Sequence, residues 1–201
     1  MIRAYHFVGD TLRDGRPVPP DGVWLEHTGP IKWCRSGLYA SRDPFDALQY
    51  AVGDTLCLVD CDGVGRTDSD KFVCRRRRIV KRFDAARLMR EFAADCAEDV
   101  WHLLGPSEQL AAAWAIGCAR RYARGETDIA ELLAAAAAFG DLVCYSERAA
   151  ICATDPIPNW AAIGAADNGA NAYSVALYGA ARAAQRRHFN SLVSAEFRGI
   201  K

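Results

Sequence analysis

The chain has 201 residues with 25 basic and 25 acidic side chains, which excludes the net-basic surface of a dedicated nucleic-acid binder and the acidity of a DNA mimic. Its 51% hydrophobic and 25% charged residues are ordinary for a globular protein. A chain of this size buries about 70% of its unfolded surface, enough for a core without disulfide staples.

No stretch reaches the roughly 18 consecutive apolar residues of a membrane span. The opening MIRAYHFVGD lacks the apolar stretch of a signal peptide, so a cytoplasmic protein with no membrane partner is expected. The eight cysteines, at 34, 57, 61, 74, 96, 118, 144 and 152, are then expected to be reduced, acting mostly as small buried hydrophobes. Cys57, Cys61 and Cys74 offer a loose zinc spacing, but no second Cys or His pair follows it, so core cysteines are expected and no metal.

Residues 2–8 alternate and are rich in aromatic and β-branched side chains, which predicts a first strand. Three glycines and three prolines in 9–22 predict a loop or ragged hairpin. Short strands are expected at 23–27, 31–34 and 37–41. Asp43 and Pro44 then form a helix start, with Phe45, Leu48, Gln49 and Val52 at helical spacing and Gly53 closing the element. Residues 55–60 predict a buried strand, 61–70 a polar turn, and 72–83 (FVCRRRRIVKRF) a second long strand.

The period changes at Asp84. Ala85, Leu88, Met89, Phe92, Cys96, Val100 and Leu103 form one helical stripe, broken at Gly105-Pro106. Further helices are predicted over 107–124, from a capping box at Asp128 and Glu131 to 139–140, over 141–153, and over 171–197. The aromatic residues of this half (Trp101, Trp114, Tyr122, Tyr145, Trp160, Tyr173, Tyr178) are expected to fill an Ala-rich core. The expected fold is α+β: a small twisted sheet with one helix in domain 1–83, packed on an Ala-rich helical domain 84–201.

The most informative segment is 37–50, GLYASRDPFDALQY: a strand, a turn and a capped helix, with Tyr39 and Tyr50 eleven residues apart. If the strand and helix pack together, both rings line one cleft and can stack on a planar ligand. His6, in the first strand, is a third candidate for that cleft.

A histidine in the first strand, a G-x-Y-[small]-[S/T] strand and a second tyrosine eleven residues on resemble the NAD-binding core of the diphtheria-toxin/PARP branch of ADP-ribosyltransferases, over roughly residues 3–60. The resemblance implies NAD as cofactor, with His6 on the adenine-side ribose and the adjoining amide, and Tyr39 and Tyr50 on the nicotinamide. The family's late-strand glutamate has no counterpart, since 55–60 and 72–83 contain no Glu and Asp60 and Asp62 are the nearest acids. Either an acid comes from the helical half or the fold is kept without transfer activity. The sequence favours the second, and leaves the catalytic residues unknown.

GLYASRDPFDALQY, CRRRRIV and AARAAQRRHF together also resemble uncharacterised bacteriophage and actinobacterial proteins. That similarity carries no activity. It suggests a rival reading, a phage-encoded, non-enzymatic protein that binds a host protein or protein–nucleic-acid complex.

The run Arg75, Arg76, Arg77 and Arg78 is the one basic cluster and the only candidate for direct nucleic-acid contact. Alternation sends Arg75 and Arg77 to one side and Arg76 and Arg78 to the other. One pair can hold a dinucleotide's pyrophosphate or an acidic partner surface by bidentate contact, and the NAD reading puts Arg76 or Arg78 near the phosphates. The favoured reading is plainer, a charged edge strand that blocks aggregation.

Overall fold

Strand-forming side chains in the first half and small helix formers in the second produce two regions of different texture. The structure, a computed structural model, describes residues 1–138, 144–173 and 175–198. It is a mixed α/β chain, with one antiparallel sheet in the N-terminal half and helices in the C-terminal half. It divides into two compact units, residues 1–85 with 190–201, and residues 86–189. The tail of the expected domain 84–201 therefore belongs with the strands.

The sheet contains β1 (Ile2–Val8), β2 (Trp24–Glu26), β3 (Leu38–Ala40), β4 (Thr55–Thr67) and β5 (Phe72–Asp84). Its order is β1-β4-β5-β2, with β3 also paired to β5 and every pairing antiparallel. The register sets His6 opposite Cys57, Asp60 opposite Arg78, and Cys61 and Leu25 opposite Arg77. One bridge, Tyr5 to Ser41, ties the chain after β3 to the outer side of β1. Ala4, Val8, Cys57, Val59, Cys61 and Ile79 gather in the core on one face.

Three local expectations change. The segment 61–70 is no simple turn, because β4 runs on to Thr67 and reverses where the Asp68 N–H meets the Lys71 carbonyl at 2.8 Å. β5 is no edge strand, being paired on both sides. Residues 31–34 form a tight turn instead of a strand: Lys32 bridges Ser36, and Cys34 takes a positive φ of 59°.

Helix α1 spans only Pro44–Leu48. The Asp43 carboxylate accepts the Phe45 N–H at 2.9 Å, as a cap should. The helix stops before Tyr50, so that ring stands on the following turn. At Gly53 a Cβ would lie 2.5 Å from the Gly9 Cα, so only glycine lets the chain pass the end of β1. Asn190 donates to Asp43 at 2.7 Å, and the Phe197 ring packs 5.2 Å from Phe83 and 6.1 Å from Tyr5. These contacts draw the last residues into the first unit.

The second unit takes in α2 (Ala86–Asp99), a 3-10 turn (Trp101–Leu103), α3 (Pro106–Ala123), α4 (Ile129–Ala137), α5 (Tyr145–Ala153), α6 (Pro158–Asn171) and most of α7 (Val175–Glu196). The expected end of the third helix at 139–140 and the expected start of the fourth at 141 lie outside the described residues. α6 was not expected, and it packs on α2 and α5. Its glycines permit the close approach: a Cβ on Gly169 would meet the Cys96 carbonyl oxygen at 3.0 Å, and one on Gly164 the Cys152 Sγ at 2.9 Å.

The expected aromatic core is also corrected. Trp101, Trp114, Tyr145, Trp160 and Tyr178 are exposed, while Ala93, Ala97, Ala115, Ala161 and Ala165 are buried. The large rings that do enter this unit's core are Phe92 and Phe189, fully buried with their centres 4.9 Å apart. No helix among the described residues is long and apolar enough to cross a membrane.

Candidate binding cleft

A cleft of about 540 Å³ opens in the first unit, lined among others by His6, Tyr39, Tyr50, Lys71 and Arg77. That volume is within the range of small-molecule sites. The two tyrosines and the histidine singled out in the sequence thus meet at one place, although Tyr50 reaches it from a turn.

His6 shares the β1 face of Ala4 and Val8 by strand alternation. Burial, then the positive charges of Arg77 and Arg13, hold its imidazole well below the usual range. It is neutral at pH 7 and offers one N–H donor and one acceptor.

Tyr39 sits under the 32–36 turn. Its hydroxyl accepts the Cys34 N–H at 2.7 Å, and its ring meets Trp33 edge-on at 5.7 Å. It has a structural task besides any stacking role. The Tyr50 hydroxyl donates to Asp70, and Lys71 Nζ lies 4.3 Å from the centre of its ring. Burial and the Asp70 bond push the Tyr50 phenol above its ordinary value. A cationic ring such as oxidised nicotinamide would compete with Lys71 for that face.

The arginines are the main departure from expectation. Arg76 and Arg78 do not line the cleft. Arg76 pairs with Glu26 at 2.8 Å and Asp62 at 3.8 Å, and Arg78 with Asp60 at 2.9 Å. Both guanidinium groups flank the Trp24 ring, at 4.7 and 4.9 Å from its centre. Arg77 lines the cleft in their place, and its Nη1 donates to the Tyr39 carbonyl. Arg75, which alternation groups with Arg77, is exposed and donates to the Gly29 carbonyl at 3.2 Å. A signal for Arg77 was present: Asp60 and Asp62 alternate on β4 opposite Arg78 and Arg76, so hairpin register leaves Arg77 facing Cys61. Reading it required knowing where the hairpin turns.

The ionisable lining is unbalanced. Arg13, Arg16, Arg35, Lys71 and Arg77 face one carboxylate, Asp14, which Arg16 already holds at 2.7 Å. The nearest strand acids from the sequence are spent elsewhere, Asp60 on Arg3 and Arg78, and Asp62 beside Arg76. The cleft has the rings and cations of an anion-binding pocket, and no free acid among its described lining residues.

Residues 2–91 match the model of a family described as a domain of unknown function (DUF7666), a segment that contains every residue lining the cleft. No curated protein and no solved structure matches the chain. What this chain is similar to is therefore a domain that spans the sheet, the cleft and the first turns of α2.

Proposed function

We propose that the first unit binds an NAD-type nucleotide, NAD itself or ADP-ribose, in the manner of an ADP-ribosyltransferase that lacks the acid for transfer. The observation that carries this reading is the convergence of His6, Tyr39 and Tyr50 on one cleft of about 540 Å³. Neutral His6 supplies a hydrogen-bonding edge for a ribose hydroxyl or amide, and the tyrosine rings supply stacking surface. Asp14, bound to Arg16, is poorly suited to stabilise an oxocarbenium-like transition state. Binding without transfer follows.

Titration calorimetry with NAD and with ADP-ribose tests the reading, on the native chain and on Tyr50→Ala. Micromolar affinity lost in the variant is the expected result. No heat with either nucleotide at millimolar concentration overturns it.

A second reading, an interaction protein that binds a host macromolecule, is favoured by one observation: large apolar side chains stand exposed on the helical unit, Leu110 at 77% and Trp160 at 62%. The arginine run is a weaker contact surface than its sequence suggests, since Arg76 and Arg78 are already paired to acids. A pull-down that retains a partner only when Leu110 and Trp160 are intact would support this rival.

A further inference from the structure

Arg77 is 7% exposed, yet its guanidinium lines the cleft. Five N–H donors project from that group. The described residues give it one acceptor, the Tyr39 carbonyl, and no carboxylate. Its other close electrostatic neighbours are the thiols of Cys57, Cys61 and Cys74. Burial raises the Cys57 thiol to about 11, and the Cys61 thiol is pushed up by its hydrogen bond to Cys74 and by burial; that same bond draws the Cys74 thiol down, so Cys74 is the one thiol of the three placed to offset the guanidinium.

A buried guanidinium with no carboxylate partner is costly, and the other arginines of β5 avoid that cost by acid or surface contacts. The lining adds Arg13, Arg35 and Lys71 around the same space. Positive charge has been placed there with its donors free.

We infer that Arg77 is the anchor for an oxyanion of the ligand, a phosphate, pyrophosphate or carboxylate group held bidentate at the inner wall of the cleft. The inference rests on the cleft being a ligand site, the reading proposed above, and names the group that the ligand must carry. A guanidinium fork matches two oxygens of one such group, and the exclusion of water strengthens both bonds. His6 lies close enough to feel the Arg77 charge, and as a neutral ring it adds a hydrogen bond without competing for the anion. Bases and rings then extend toward Tyr39 and Tyr50.

The experiment compares ADP-ribose, inorganic pyrophosphate, citrate and uncharged adenosine on the native chain and on Arg77→Met and Arg77→Lys, by calorimetry. The Arg77 Nε–Hε resonance of the native chain is followed in parallel. The expected result is a loss of ADP-ribose affinity of at least tenfold in Arg77→Met, a smaller loss in Arg77→Lys, unchanged adenosine binding, and a shift of the Nε–Hε resonance on adding anion. Pyrophosphate or citrate shifting that resonance while ADP-ribose does not bind would support the anchor and remove the nucleotide reading. ADP-ribose binding equally to native and Arg77→Met protein would overturn the anchor and leave the nucleotide reading standing. If a variant fails to fold, the native resonance decides: no shift with any of the three anions overturns the inference.

Discussion

Arg77 and Arg78 are neighbours on β5 and chemically identical, yet the sheet gives them opposite surroundings. On one face, Arg78 and Arg3 grip the Asp60 carboxylate, Arg76 reaches Glu26, and Trp24 lies between Arg76 and Arg78. On the other, Arg77 faces thiols, a neutral histidine and an open cleft. The first face spends its charges on holding the strands together. The second places a guanidinium with no carboxylate partner in the cleft wall. The difference shows that a basic run cannot be read as one feature, because strand alternation divides it between ion pairs on one face and the cleft lining on the other.

The contrast is open to four tests on stability. The largest expected effect is at Asp60, which is 2% exposed and serves two guanidinium groups. Asp60→Asn should cost about 3 kcal/mol in urea unfolding, the low end for breaking a buried pair because Arg3 and Arg78 still reach water. A loss under about 1 kcal/mol would show that this face does not depend on charge.

His6 comes next. Its folded pKa is depressed by burial and by Arg77 and Arg13, so below about pH 6.5 the unfolded chain binds the proton that the folded chain refuses. Its contribution is intact above that pH and is lost on acidification, by up to about 1.4 kcal/mol per pH unit. Thermal melts between pH 8 and 5 should slope less for His6→Phe than for the native chain; identical slopes would place His6 in water.

Removing the ring from the paired face gives a smaller change. Trp24→Ala should cost about 1 kcal/mol, from two partly solvated cation–π contacts of roughly 0.5 each. Chemical denaturation at low and high salt should give similar losses if the ring, and not the ion pairs, is responsible.

The smallest effect should be at Arg77. Arg77→Met removes a buried charge that has no carboxylate partner and also one hydrogen bond, so its stability should stay within about 1 kcal/mol of the native chain. A loss above about 3 kcal/mol in urea unfolding would mean that Arg77 has an internal partner, and the contrast between the two faces would fail.

The sequence was informative wherever local chemistry leaves a mark. Asp43-Pro44 marked the start of α1, Gly105-Pro106 the break before α3, and Asp128 the cap of α4, whose side chain accepts the Glu131 N–H at 3.0 Å. It failed at α6, whose residues AAIGAADNGA have almost no large apolar side chain to show a period. That helix is specified by what it lacks, since Gly164 and Gly169 allow contacts that a Cβ would block. The tryptophans stand exposed because alanines fill most of the helix contacts and Phe92 and Phe189 supply the buried rings.

In the cleft, Tyr39, Tyr50 and His6 were legible because a strand, a turn and a helix cap set their spacing. Arg77 was not. Its role depends on the β4–β5 register and on which face of the sheet the 32–36 turn covers.

By itself the sequence determined the mixed α/β class, the change from strand to helix near residue 84, and the three side chains worth examining in the first sixty residues. Periodicity, caps and turn residues act over a few positions, and they can be read along the chain. Tertiary structure alone decided that residues 190–198 return to the strands, that β5 lies inside the sheet, and that Arg77 is the one arginine of the four to line the cleft. Those outcomes depend on burial and on pairing between residues far apart in sequence, such as Asp60 with Arg3 across 57 positions, which no local pattern encodes.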